Sequence, residues 1–309
     1  MNFVPGHKGE VNVKNLLLAG IALVALAAPA VAADMPLKAP APVAVDIWSG
    51  GYVGANVGYD WGRDIVDSVG SPGNCSTTGQ PGCNGAATLN YYSFLSAQSA
   101  TFQASVNHSG LIYGGQAGHN WLLHNIAWTW DGVIGVEVDF QGKSDSHSST
   151  YTSVTPAAAF PGFPLTQTAT LNERINALGT LRGRAGLLWG PNTLVYVTGG
   201  LAFANARSNT GIAQNVTSPG LGPYATAGQI TQEVFGPTIG GGVEWKWTAN
   251  WSVKAEYLYV DLGDLAYNTN ALISPFAGAG GGNFSVANVN QNVHIHDNIA
   301  RVGVNYRFW

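Results

Sequence analysis

Residues 300–309 read ARVGVNYRFW. Side chains alternate across a strand, so Arg301, Gly303, Asn305 and Arg307 fall on one face, and Ala300, Val302, Val304, Tyr306 and Phe308 on the other. One row is polar and twice cationic; the other is apolar and aromatic. A soluble sheet turns such an apolar row to its core and the charged row to water, whereas a barrel in a bilayer does the reverse. The rest of the chain has to decide between them.

Charged residues make up 10% of the 309 residues, where a soluble globular chain carries about 25%. Water-facing surface is therefore scarce. The 41 glycines, with 10 Trp, 12 Tyr and 11 Phe, favour packed strands. A formal net charge of −4 and the absence of any Lys/Arg run leave no electrostatic footprint for nucleic acid.

Lys14 precedes the apolar run LLLAGIALVALAAPAVA, and Ala30, Val31 and Ala32 have the small-x-small form that a signal peptidase cuts. Residues 1–32 are read as a secretory signal peptide, of which 1–12 are too polar for a signal's beginning and suggest a mis-annotated start. The proline-rich residues 33–47 are read as an extended lead, and 48–309 as the folded domain. No later segment has the length of a spanning helix, so an exported chain of this kind is either soluble or crosses a membrane as strands.

Eight segments show period-two alternation over about ten residues or more, the length a tilted strand needs to cross a bilayer. They are 52–61, 110–122, 128–141, 176–188, 194–204, 235–247, 251–262 and 296–308. The connections alternate in length: tens of residues after each odd strand, and a few residues, marked by HNI, GPN and TAN, after each even one. An up-and-down outer-membrane barrel has this asymmetry, with an even strand number bringing both termini to the periplasm and long loops outside. Low charge, Trp and Tyr near strand ends and the aromatic terminus all favour the membrane barrel over its soluble inverse. The fold expected is all-β: a transmembrane, eight-stranded, antiparallel up-and-down β-barrel.

With the apolar rows facing lipid, the other rows collect the charge. They hold Glu137 and Asp139, Arg182 and Arg184, Glu244 and Lys246, Lys254 and Glu256, and Arg301 and Arg307. An eight-stranded interior is about wide enough for side chains to fill it, so these groups are expected to meet as a ladder of ion pairs plugging the barrel. Glu137 and Asp139, two apart on one strand, read as acceptors for facing arginines rather than as an acid–base pair. Gly54, Gly58, Gly118, Gly135, Gly186, Gly240 and Gly303 are expected to leave room for the long side chains.

The motifs YVGANVGYDWG, GGQAGHNW, GVEVDF, LRGRAG, YVTGGLAFA, GGGVEW, VKAEYLYVDLG and RVGVNYRF, with the lead ADMP, resemble the successive strands of alphaproteobacterial outer-membrane immunogenic proteins. The resemblance implies a small barrel similar to the membrane half of the outer-membrane protein A group, without that group's peptidoglycan-binding domain. It implies a surface antigen of a Gram-negative envelope, and a C-terminal assembly signal in Tyr306, Phe308 and Trp309. The usual ending differs, because Trp309 follows Phe308 out of phase with the apolar row.

Cys75 and Cys83, in NCSTTGQPGC of the first long connection, are expected to form a local disulfide in an oxidising compartment. His294 and His296, and His119 with His124, are read as rim histidines rather than metal ligands, since no carboxylate cluster adjoins them in sequence. No catalytic, cofactor-binding or metal residue is assigned, and Ser252 with His119 gives no more than a faint Ser–His pair. The expected role is a non-enzymatic envelope protein that contacts membrane lipid, lipopolysaccharide and the barrel assembly machinery. Its mobile loops include residues 74–90 and 144–155. The rival readings are a small-solute porin and a lipid-A-modifying barrel enzyme.

Overall fold

The computed structural model describes residues 46–73, 87–127, 130–144, 147–159, 161–216, 223–276 and 282–308. The signal peptide, most of the proline-rich lead, Cys75, Cys83 and Trp309 lie outside them. The elements are β1 (Gly50–Pro72), α1 (Ala87–Ser99), β2 (Phe102–Ala127), β3 (Trp130–Ser144), β4 (His147–Thr155), β5 (Leu165–Trp189), β6 (Thr193–Val216), β7 (Tyr224–Lys246), β8 (Trp251–Asn268), β9 (Leu272–Phe276) and β10 (Gly282–Phe308).

Eight strands close a ring in the order β1-β2-β3-β5-β6-β7-β8-β10, with β10 returning to β1 and every neighbouring pair antiparallel. The closing register pairs Gly51 with Phe308 and Gly58 with Arg301. Closure leaves no open edge in the ring. Above Ser144, β4 takes the place of β3 beside β5; beyond Asn268, β9 takes the place of β8 beside β10.

The strands are much longer than the sequence segments. β2, β5 and β10 run 26, 25 and 27 residues. At about 3.3 Å per residue and a tilt near 40°, 25 residues rise about 60 Å, roughly twice a bilayer's hydrocarbon thickness. The expected long loops are therefore mostly strand. Residues 144–155, expected as a mobile loop, are largely β4 paired along β5 from His147–Glu173 to Thr155–Leu165. Of residues 74–90, the described part is the first turn of α1.

The reason for the difference lies in the solvent each strand half meets. Near the short turns the outward row is apolar: Val53, Val57, Tyr59 and Trp61 on β1, Val195, Val197 and Leu201 on β6, and Val302, Val304, Tyr306 and Phe308 on β10 are all exposed. Higher up, that same row turns polar, with Arg63, Asn107, Arg174, Arg207 and Glu233 facing out. The inward row changes in the opposite sense. Val66, Val106, Leu171, Ile175, Ala204, Leu262, Val293 and Ile295 fill the upper lumen as one apolar cluster. Each long strand thus obeys the membrane pattern below and the soluble pattern above; β1, β6 and β10 keep one side-chain parity throughout, whereas β5, between Ile175 and Leu178, and β8, at Leu262, shift by one residue at a bulge.

The end away from the short turns is capped. On α1, Tyr92, Leu95, Ser96 and Ser99 follow helical spacing and are buried, whereas Phe94 points out. They pack on Leu165, Ile212, Val216, Tyr224 and Leu272. Polar ties complete the seat: the Gln214 amide donates to the Ser96 carbonyl (3.0 Å), the Gln167 amide to the Ser99 carbonyl (2.8 Å) and the Ser68 hydroxyl to the Ala100 carbonyl (2.7 Å). The short-turn end is closed by Trp48, 1% exposed, whose indole donates to the Pro191 carbonyl at 3.0 Å and carries the Lys246 ammonium 4.7 Å from its ring centre.

The upper core holds one unusual acid. Glu173 of β5 is buried and accepts from the Ser208 hydroxyl at 2.9 Å. Burial pushes its carboxyl up to about 8, the hydroxyl bond pulls it back, and the nearby charge of Asp64 raises it further. The unfolded carboxyl loses its proton near 4.5. The stability that protonated Glu173 supplies is thus complete below about pH 4.5 and lost as the pH rises through about 8. Glu173→Gln should remove this slope, so that in denaturant unfolding at pH 8.5 the variant is more stable than the parent, with the difference shrinking toward pH 5.

Candidate functional site

The charged lumen lies inside the apolar belt, and all eight ring strands reach it. Parity places the inward residues. On β3, Glu137 and Asp139 share the row of Gln141; on β5, Arg182 and Arg184 share that of Thr180; on β8, Lys254 and Glu256 follow Ser252. Cross-strand register then sets Glu137 against Arg182, Gly58 against Arg301, Arg301 against Glu256, and Glu244 against Lys254.

Arg182 is the hub. One terminal nitrogen reaches Glu137 and lies 2.8 Å from Asp139; the other lies 3.1 Å from Glu256, and its Nε donates to Thr180 at 2.9 Å. Lys254 donates to both oxygens of Glu137 at 2.7 and 2.8 Å. Arg301 bridges Glu256, through Nε at 2.7 Å, and Asp139 at 3.1 Å. Just below, Arg184 pairs with Glu244 at 2.9 Å and donates to Asn120 at 2.9 Å. Its guanidinium lies 4.8 and 5.4 Å from the ring centres of Tyr52 and Tyr196, whose hydroxyls donate to Glu137 (2.6 Å) and Glu256 (2.9 Å).

The four acids Glu137, Asp139, Glu244 and Glu256 thus meet the four bases Arg182, Arg184, Lys254 and Arg301, and every one of them is buried. The set is neutral, as a desolvated cluster has to be. Arg307 sits apart, at the short-turn end, where it donates to the carbonyls of Ser49 (2.6 Å) and Ala249 (3.3 Å). Two of the glycines make room for the arginines: a Cβ at Gly58 would strike Arg301, and one at Gly135 would crowd Arg184 at 3.3 Å. The others serve different neighbours, Gly118 lying under Tyr52 and Gly186 under Tyr196.

A second cluster, above the first, was not anticipated. The Lys143 ammonium lies 2.8 Å from Asp60 and 2.9 Å from Asp297; His108 bonds Asp297 through Nε2 and faces Asp64 through Nδ1 at 3.4 Å. Asp60, His108 and Asp297 converge as a metal site would, but the Lys143 ammonium occupies the cation's place. Parity alone could have found these residues. Asp60 continues the row of Tyr52 and Asn56, Lys143 that of Glu137 and Asp139, and Asp297 that of Arg301.

Ser252 and His119 lie on opposite sides of the wall. Ser252 is buried in the lumen beside Glu244, whereas His119 is outside, its ring 4.5 Å from that of Trp121. Tyr306 and Phe308 face outward at the end of β10.

Because a buried charge left without its partner costs about 3–5 kcal/mol, Arg184→Leu should lower unfolding stability by roughly that amount. Val302→Leu on the lipid-facing row should change it by no more than about 0.5 kcal/mol. Denaturant titration of both variants refolded in lipid vesicles measures the difference.

The match to known proteins agrees with this geometry. Residues 17–308 match the family model described as outer membrane protein beta-barrel domain. The chain is 29% identical over 304 residues to the 31 kDa outer-membrane immunogenic proteins of Brucella melitensis biotype 1 and Brucella suis biovar 1, covering 96% of this chain and 100% of each relative. Among solved structures it is similar to the outer membrane protein OprG from Pseudomonas aeruginosa, at 12% identity and a TM-score of 0.35, over 84% of this chain and 97% of that one. The chain belongs to the outer membrane protein β-barrel domain family, and its place is the outer membrane of a Gram-negative envelope.

Proposed function

We propose that this protein is a closed, non-enzymatic barrel with a structural and surface-interaction role in the envelope. The observation that carries the reading is obstruction of the lumen at three levels: Trp48 at the short-turn end, the neutral ion-pair cluster at mid-belt, and α1 over the opposite end. Beside the second charged cluster, a space lined by Asp64, His108, Glu173 and Ile295 and reaching out to Arg174 and Arg207 measures about 10 Å³, room for one water. A diffusion channel needs a continuous wet path, and about sixteen strands to hold one open.

In this reading the short turns and the N-terminal lead face the periplasm, residues 1–32 having been removed on export, and the α1 end stands outside. The apolar belt holds the barrel in lipid, while the polar outward row above it meets the headgroup layer and its lipopolysaccharide. Tyr306 and Phe308 are the outward aromatics that the barrel assembly machinery would read. A surface hydrolase is disfavoured because Ser252 and His119 are separated by the wall and Ser252 already donates to Glu244.

Single-channel recording of the purified protein in a planar bilayer tests the reading, with heated and unheated gel mobility confirming that it has folded. Folded protein should give no steady conductance. Large, sustained steps would replace this reading with that of a porin.

A further inference from the structure

We propose that His294, His296 and Asp261 bind one divalent ion of the zinc class on the outer wall just above the apolar belt, with Asp264 orienting His294. A His-x-His pair on a strand is by itself a poor site, because two ligands leave an ion weakly held. The fold supplies what the sequence does not place nearby. On β8 the spacing of Asp261 and Asp264 would normally send the two carboxylates to opposite faces. A bulge prevents this. Ile295 pairs with Gly263 and His296 with Asp261, so Leu262 is the extra residue, turned inward, while both aspartates face out beside the histidines. Gly263 holds the bulge with a φ of +72°, a left-handed conformation for which glycine is the suitable residue, and its N–H donates to Asp261 Oδ1 at 2.9 Å.

The distances have the form of a carboxylate–histidine–metal arrangement. Asp264 Oδ1 lies 3.0 Å from His294 Nδ1, so the carboxylate accepts the Nδ1–H and leaves Nε2 as the free lone pair. That Nε2 lies 3.8 Å from Asp261 Oδ1. Two ligand atoms each about 2.0–2.1 Å from one tetrahedral ion stand roughly 3.4 Å apart, so a small side-chain adjustment closes both on the same ion. The His294 and His296 ring centres are 6.1 Å apart, against about 5.2 Å for two imidazoles on one tetrahedral ion, so His296 has to swing inward by about 1 Å to join it. His294 and Asp261 are 41% and 31% exposed, which leaves water access to the fourth position.

The test uses tag-free, metal-stripped, full-length protein folded in maltoside micelles and titrated with Zn²⁺ by calorimetry; Co²⁺ absorption provides a ligand-field signature. The parent should bind one ion per chain and give the visible bands of a tetrahedral Co²⁺ site. His294→Ala and His296→Ala should each weaken binding at least about tenfold and abolish those bands, and Asp264→Asn should weaken it by about tenfold or more. His119→Ala, at the other end of the wall, should change nothing. Gel mobility verifies folding, since all four positions face outward. Absence of binding to the parent, or equal affinity in a His294→Ala/His296→Ala double variant, would overturn the proposal.

Discussion

The structure depends on one constraint: where the wall faces hydrocarbon, alternate side chains have nowhere to go but a lumen too narrow for water. Lipid accepts Val302, Tyr257 and Leu201 outside; the intervening Arg301, Glu256 and Arg182 must then be satisfied by one another. Removing ions from water costs several kcal/mol apiece, which only neutrality and dense hydrogen bonding offset. Four acids and four bases, with two tyrosine hydroxyls, Thr180 and Asn120, meet most of that demand; among the described residues Arg184 Nη2 and Arg301 Nη1 keep no hydrogen-bond partner. Ring closure and the charged cluster are mutually dependent, since residues drawn from opposite walls meet only when β10 returns to β1.

Above the belt the same strands continue in water, and the demand reverses. The outward row becomes Arg63, Asn205, Arg207 and Glu233, and the inward row becomes a hydrophobic core finished by α1. The upper core is held by ordinary apolar burial and the lower one by electrostatic pairing. In the proposed reading both obstruct a through-path, and contact with a partner falls to the outer face and the capped end.

The lower half was legible in the residues because its rule is strict: the parity of 300–308 assigns Arg301 and Val302 to opposite faces without ambiguity, and the charges on the other strands follow the same rule. The upper half was harder to read. Its outward Ser, Thr and Asn residues, as in residues 166–172 and 205–210, look like loop composition when the inward Ala and Leu are assumed to need lipid. Stopping the third strand at Gln141 also hid Lys143, whereas Asp60 lay within the first expected strand and went unassigned without its partner. Helix α1 carries Tyr92, Ser93, Ser96 and Ser99 beside Leu95 and Ala97 on the face it buries, so no apolar stripe announced it. The pairing of His294 with Asp264 depends on a bulge, a feature that strict alternation cannot foresee.

The change of surroundings midway along each strand is the central claim, and spin labels placed singly on the outward row of β10 test it directly. With the protein in lipid nanodiscs, labels at positions 302 and 304 should be relaxed by oxygen dissolved in the hydrocarbon, and labels at 290 and 292 by a water-soluble nickel complex. The crossover should fall between 296 and 300. Oxygen-dominated relaxation along the whole row, or nickel access at 302, would contradict the account.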